Sequence, residues 1–211
     1  MSAASNIQNS SAGKPAKRDP VATRRRILDC AAHLLAEGEG NLEMAWVAKA
    51  AGVSSGLAYH HFGSKEGLLV AVVNDFYDRV EEQSLMFRFD ESEHWETREI
   101  ERVRRYITFL LGDPLGVVML SRLSHAPGVA AVEARRWDEL VTVGARNIAE
   151  GQKRGVVKAQ QDPELLAALV LGSVRSSVAR VLPIKDEINV EALCRDIWQF
   201  VRSGLGMEHT Q

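Results

Sequence analysis

The sequence predicts an all-α protein of about nine helices, a small N-terminal three-helix unit followed by a larger helical body. Three observations carry this. Apolar residues recur at three- and four-residue spacing along most of the chain, and no run alternates as a half-buried strand would. Helix-start residues (Ser, Thr, Asp, Asn) precede these apolar stretches. Gly and Pro punctuate the short connections between them, and no internal repeat is present. At 211 residues, 45% hydrophobic and 26% charged, the chain has the length for one large domain or two small ones.

The first helix is expected from Thr23 as its cap, with Ile27, Leu28, Ala31, Leu34 and Leu35 on its apolar face, and "EGEGN" ends it. A second helix covers about 43–50 and a third about 54–61. Ser64 caps a long fourth helix whose Leu68, Leu69, Val72, Val73, Phe76 and Val80 share one side, with Glu66 in the first turn where the helix dipole favours an acid. "SLMFRFDESEHW" interrupts the pattern. Beyond it a fifth helix runs over about 97–111, and Asp113-Pro114 starts a sixth that stops before Pro127-Gly128. A seventh helix occupies about 129–153 and ends at Gly155. Asp162-Pro163-Glu164 opens an eighth, bounded by Pro183, and a ninth starts near Asn189 and ends at the Gly204/Gly206 pair.

Charge is uneven along this frame. The chain carries −2 overall, yet residues 1–26 hold six cations against Asp19 alone, which leaves +5 there and −7 on the remainder. A basic end on an acidic body suits a polyanionic partner at that end. Residues 1–22, rich in Ser, Ala, Asn and Gly, lack the apolar centre of a secretory signal and are expected to be a disordered basic arm. Apolar runs such as "LLAALVLG" are short of a bilayer span, so no membrane helix is expected. Cys30 and Cys194 lie far apart without metal-type spacing, as reduced thiols of a cytoplasmic protein would.

The stretch "VAKAAGVSSGLAYHHFGSKEGLL", residues 47–69, concentrates the chemistry. Two short helices crossing steeply need a small residue where their backbones meet, and Ala48 supplies it. Gly52 permits the sharp reversal between them, while Val47, Ala51 and Val53 hold the angle. This is a helix-turn-helix pattern with 54–61 as the recognition helix. Ser54, Ser55 and Gly56 are small enough to let its N-terminus approach phosphates and base edges. Tyr59 and His60 follow one turn on, placed to hydrogen-bond a phosphate, and Lys65 aims a cation at the same strand. Phe62 is expected to turn inward against the first helix.

The block "TRRRILDCAAHLLAEGEG…VAKAAGVSSGLAYHHFGSKEGLLVAVV", about a quarter of the chain, resembles the N-terminal region of the tetracycline-repressor (TetR) family of bacterial transcriptional regulators. The resemblance implies a helix-turn-helix DNA-binding domain over 23–68 and a ligand-binding and dimerisation domain over 69–211. It implies a repressor of transcription with no enzymatic activity and no cofactor or metal. By position, DNA contacts fall on Thr23, Ser54, Ser55, Gly56, Leu57, Tyr59, His60 and Lys65. Two places depart from the family pattern. Leu57-Ala58 inverts the usual order before the tyrosine, offering an apolar side chain to a thymine methyl. "NLEMAW" replaces the Thr-rich start of the second helix, and Glu43 there repels phosphate unless it caps that helix.

In the body, Val190, Leu193, Cys194, Ile197, Trp198, Val201 and Leu205 form an apolar stripe, and Ala168, Gly172, Ser176 and Ala179 permit close helix approach. Of these, Ala168, Gly172, Ser176, Ala179, Cys194, Ile197, Trp198 and Val201 are expected to join two copies in a four-helix bundle, a homodimer reading a near-palindromic operator on duplex DNA. Phe76, Tyr77, Trp95, Tyr106, Phe109, Met119 and Trp137 are suited to lining a cavity for an unknown small effector, with Arg122 and His125 to hold a polar end. Aromatic residues at this spacing equally make plain core, and the alternative is a helical protein-interaction module without an effector. Enzyme chemistry finds no footing. His60 and His61 are adjacent and point apart, and no phosphate loop, His-Glu-x-x-His, Cys-x-x-Cys or serine elbow occurs.

Overall fold

The computed structural model describes residues 19–38, 41–90, 93–121 and 127–207, so the arm cations Lys14, Lys17 and Arg18, and also Arg122 and His125, lie outside the described residues. Among the described residues there are nine α-helices and no strand: α1 (Pro20–Glu37), α2 (Met44–Ala50), α3 (Ser55–Phe62), α4 (Lys65–Val80), α5 (Trp95–Gly112), α6 (Gly116–Ser121), α7 (Pro127–Lys153), α8 (Pro163–Val181) and α9 (Val190–Gly204). A π-helical turn, Glu81–Leu85, prolongs α4, and a 3₁₀ segment, Leu182–Glu187, follows α8.

The helix starts follow local chemistry. Ser64 accepts from Gly67 N at 2.9 Å, Asp162 from Glu164 N at 2.9 Å, and Asn189 from Ala192 N at 3.0 Å, each satisfying an amide that the first turn leaves unpaired. One start differs from expectation. Asp19, not Thr23, caps α1 by accepting from Val21 N, and Pro20 takes the first helical position. Thr23 therefore sits inside the helix, only 4% exposed. So little exposed surface leaves its side chain poorly placed for the DNA contact expected of it.

Ile27, Leu28, Ala31 and Leu35 of α1 bury against Val47 and Ala48 of α2, Ala58 and Phe62 of α3, and Leu68 of α4. The boundary expected at 68/69 falls within α4, which is one unbroken helix from Lys65 to Val80. Its first turn completes the three-helix unit, and the rest packs along α7. Around α4 the body assembles with α7 against α8 and α5 against α9.

Pro163–Ile184 is apolar and long enough by composition to cross a membrane, contrary to the expectation from shorter runs. Its packing assigns it differently. Leu166, Ala167, Leu171, Val174 and Val178 are buried in the bundle, and Arg175 on the same helix is ion-paired to Glu133 of α7. It is a core helix with one face left outward.

Candidate nucleic-acid interface

The turn between α2 and α3 depends on Gly52, whose φ of 63° lies where a Cβ is costly. Gly52 N donates to Lys49 O at 3.2 Å, and Val53 N donates to Ala48 O at 2.9 Å, so the reversal is closed on the end of α2. Ala48 and Ala51 are buried where the helices meet. Arg26 Nε donates to Ala51 O at 2.9 Å, tying α1 to the same turn.

Ser54 caps α3, its hydroxyl accepting from Leu57 N at 3.2 Å, which leaves the O–H proton to donate elsewhere. Ser54, Ser55, Gly56, Tyr59 and His60 are all exposed. Ser55 with Tyr59, and Gly56 with His60, are four residues apart and therefore share one side of the helix. On the other side Ala58 and Phe62 are buried, as expected for Phe62, and the Arg24 guanidinium lies 4.9 Å from the Phe62 ring centre. Leu57 is half-buried, between the two sides. The outward side thus offers serine hydroxyls at the positive end of the α3 dipole, where phosphate is attracted, and the Tyr59 phenol and His60 imidazole a turn further on.

The cations around this surface are engaged. Lys65 Nζ lies 2.9 Å from Glu43 Oε1. Glu43 stands at the N-cap position of α2 but makes no capping hydrogen bond. Arg25 pairs with Asp29 at 2.8 Å and with Asp75 of α4. Arg79 pairs with Asp75 and with Asp113, continuing the chain of charges to the end of α5. On α2, Trp46 stands exposed one turn after Glu43.

In the body the structure separates the residues expected to line a pocket. Phe76 and Phe109 pack in the core with ring centres 5.3 Å apart and planes tilted by 58°, and Met119 is buried as well. Tyr77 and Trp137 instead meet Arg175, which pairs with Glu133 at 2.5 Å, lies 5.4 Å from the Trp137 ring centre and 3.5 Å from the Tyr77 hydroxyl. Among the expected residues that the structure describes, Trp95 and Tyr106 alone border a cavity of about 40 Å³. That cavity lies between α5, α7, α8 and α9, not within the fourth to seventh helices. Gly144, Asn147, Val170 and Trp198 complete much of its wall. A Cβ on Gly151 would come within 2.7 Å of the Trp95 ring, so glycine there is what seats the indole, whose Nε1–H donates to Asn147 O at 2.8 Å.

Burial pushes the Tyr106 phenol above its ordinary range, and burial likewise raises the Glu99 carboxyl against the opposing pull of Arg102. Leu85, at the end of the π-helical turn, also lines the cavity and its carbonyl accepts from Arg102 Nε at 3.1 Å. Among the described residues no cluster of three or more His, Cys, Asp or Glu side chains is arranged to hold a metal. Arg175 was missed by sequence reading, although a cation in the middle of the apolar α8, well before Arg180 in its last turn, is a visible signal.

The α9 half of the expected dimer surface needs correction. Cys194, Ile197 and Trp198 are buried within the chain's own fold, because the stripe that carries them faces α5, whereas Val201, also buried, lies at the floor of the groove between α8 and α9. Outward instead is an apolar groove of about 360 Å³ between α8 and α9, bordered by Ala168, Leu169, Gly172, Ser176, Phe200 and Gly204. Leu165, Leu169 and Phe200 are 59%, 59% and 67% exposed. Ala179 is half-buried further along α8.

Residues 27–72 match the family described as bacterial regulatory proteins, tetR family. Among solved structures, the chain is similar to the fatty acid degradation regulator FadR from Bacillus halodurans, with a TM-score of 0.77 and 20% identity over 91% of this chain and 100% of that one. FadR from Bacillus subtilis, solved in complex with stearoyl-CoA, is similar with a TM-score of 0.72 and 21% identity over 85% and 98%. A TetR-family transcriptional regulator from Pectobacterium atrosepticum gives 0.67 and 24% over 90% and 96%. At these identities the solved structures establish the shared fold. No curated protein matches the sequence.

Proposed function

From the match of residues 27–72 to the tetR family of bacterial regulatory proteins we propose that the chain is a dimeric DNA-binding repressor released from its operator by a small-molecule effector. The observation that carries the DNA reading is the outward side of α3, where Ser55 and Gly56 at the helix N-terminus and Tyr59 and His60 a turn further on are exposed while Ala58 and Phe62 anchor the other side. Ser54, Tyr59, His60 and Lys65 contact phosphates, and Leu57 reads a thymine methyl at the groove wall.

The groove between α8 and α9 supports two-fold dimerisation, since Leu165, Leu169 and Phe200 are apolar, close together in the fold and exposed in the single chain. Pairing there sets two α3 helices about 34–36 Å apart, one turn of duplex.

The effector site is the apolar cavity between α5, α7, α8 and α9. The Bacillus subtilis FadR it resembles in fold was solved with stearoyl-CoA, but about 40 Å³ is far below even the ~150 Å³ that accommodates benzene. In this reading an effector enters only by parting these helices. Leu85 in the cavity wall joins directly to α4 through the π-helical turn, and α4 begins at Lys65, so the parting tilts the helix that carries the DNA-binding unit. An effector acts only by binding the parted state more tightly.

The test is fluorescence anisotropy on duplex taken from upstream of the protein's own gene. Saturable binding as a dimer, weakened steeply by salt as neutralised phosphates recapture counterions, is the expected result. A protein that ignores duplex while capturing another protein would favour the interaction-module reading.

A further inference from the structure

Resting on the DNA-binding reading above, the geometry points to Glu43 as a positioning residue that holds Lys65 and restrains sequence-independent binding to duplex. Glu43 occupies the N-cap position of α2 with extended backbone, φ −126° and ψ 132°. An acid there ordinarily accepts from the first-turn amides and gains from the helix dipole. Glu43 makes no capping hydrogen bond; its carboxylate turns to Lys65 Nζ, 2.9 Å away at the first residue of α4. The two side chains are 56% and 47% exposed, so solvent and duplex reach both.

This pairing changes what Lys65 does. A lone ammonium beside the α3 surface would be drawn to any phosphate. Held by Glu43, it presents nearly cancelled charge, and the incoming phosphate also meets a carboxylate. Arg25 is similarly paired, with Asp29 and Asp75, whereas Arg26 donates to the neutral Ala51 carbonyl and keeps its charge. Non-specific affinity is essentially the sum of phosphate neutralisations, so the Glu43–Lys65 pair lowers it directly. On an operator, α3 fixes the phosphate position, and the three N–H donors of the ammonium can serve phosphate and Glu43 together.

The experiment measures binding of a random-sequence 30-base-pair duplex between 50 and 200 mM KCl for the wild type, Glu43→Gln, Lys65→Gln and the double variant. The expected outcome is that Glu43→Gln tightens binding about fivefold at the lowest salt and steepens the log–log salt slope by about one ion per protomer. In the Lys65→Gln background the same change should have less than half that effect. Equal effects in both backgrounds would mean that Glu43 acts only as diffuse negative charge, and the inference fails. An unchanged slope in Glu43→Gln also overturns it. Both outcomes differ from failure of the DNA reading, in which the wild type binds no duplex with salt dependence. Thermal melting of each variant confirms that the fold is retained.

Discussion

The three-helix unit and the helical body use aromatic residues in opposite ways. In α3, Tyr59 stays outside while Phe62, three residues on, is buried, and the exposed group has a polar tip fit for a phosphate. In the body, Phe76, Tyr77, Trp95, Tyr106 and Phe109 are all buried, and most of them simply pack against one another or against Arg79 and Arg175. The lesson concerns where function resides. At a surface site it resides in which side chains remain exposed, and at an internal site in the space between side chains, which no residue type announces.

The strongest way to break this contrast is Phe76→Ala. If Phe76 is core, urea unfolding should show a loss of about 3–5 kcal/mol; if instead it lines an effector site, stability should change little and ligand response greatly. Next, Phe200→Glu places a charge in the apolar groove of α8 and α9. Sedimentation should show dimer association weakened by about 2 kcal/mol or more, roughly thirtyfold, with the monomer still folded. Tyr59→Ala sharpens the surface half of the comparison. Duplex affinity should fall about tenfold, near 1.4 kcal/mol, while thermal stability stays within ~0.5 kcal/mol. A lowered melting temperature would move Tyr59 into the core class.

The smallest effect compares one cysteine from each region. Burial pushes the Cys194 thiol up to about 11, so at pH 8 about one molecule in a thousand carries the thiolate there. The raised value means that this neutral thiol supports the fold below its ordinary range and that the contribution fades as pH climbs towards 11. Cys30, half-buried on α1, should alkylate first, with Cys194 reacting only on unfolding, as mass spectrometry of timed samples would show.

Local chemistry made much of the fold legible. Asp162-Pro163, Ser64 and Asn189 start helices in the structure because a side-chain oxygen beside an unpaired amide needs no tertiary partner. The same rule, applied to Asp19-Pro20, would have placed the start of α1 correctly and Thr23 inside the helix. The exposed and buried sides of α3 were equally readable, since eight residues offer only one register.

The sequence by itself determined the helices, the glycine-hinged crossing of α2 and α3 and the polar outward side of α3, because each follows from interactions within a few residues. Tertiary structure alone decided that the α9 stripe is spent on α5, that Phe200 and Leu169 form the outer groove, that Glu43 turns to Lys65 and that the cavity lies among α5, α7, α8 and α9. An amphipathic helix specifies that one side is covered but not by what. Ion pairs between residues 22 apart and voids between four helices exist only once the whole chain has packed.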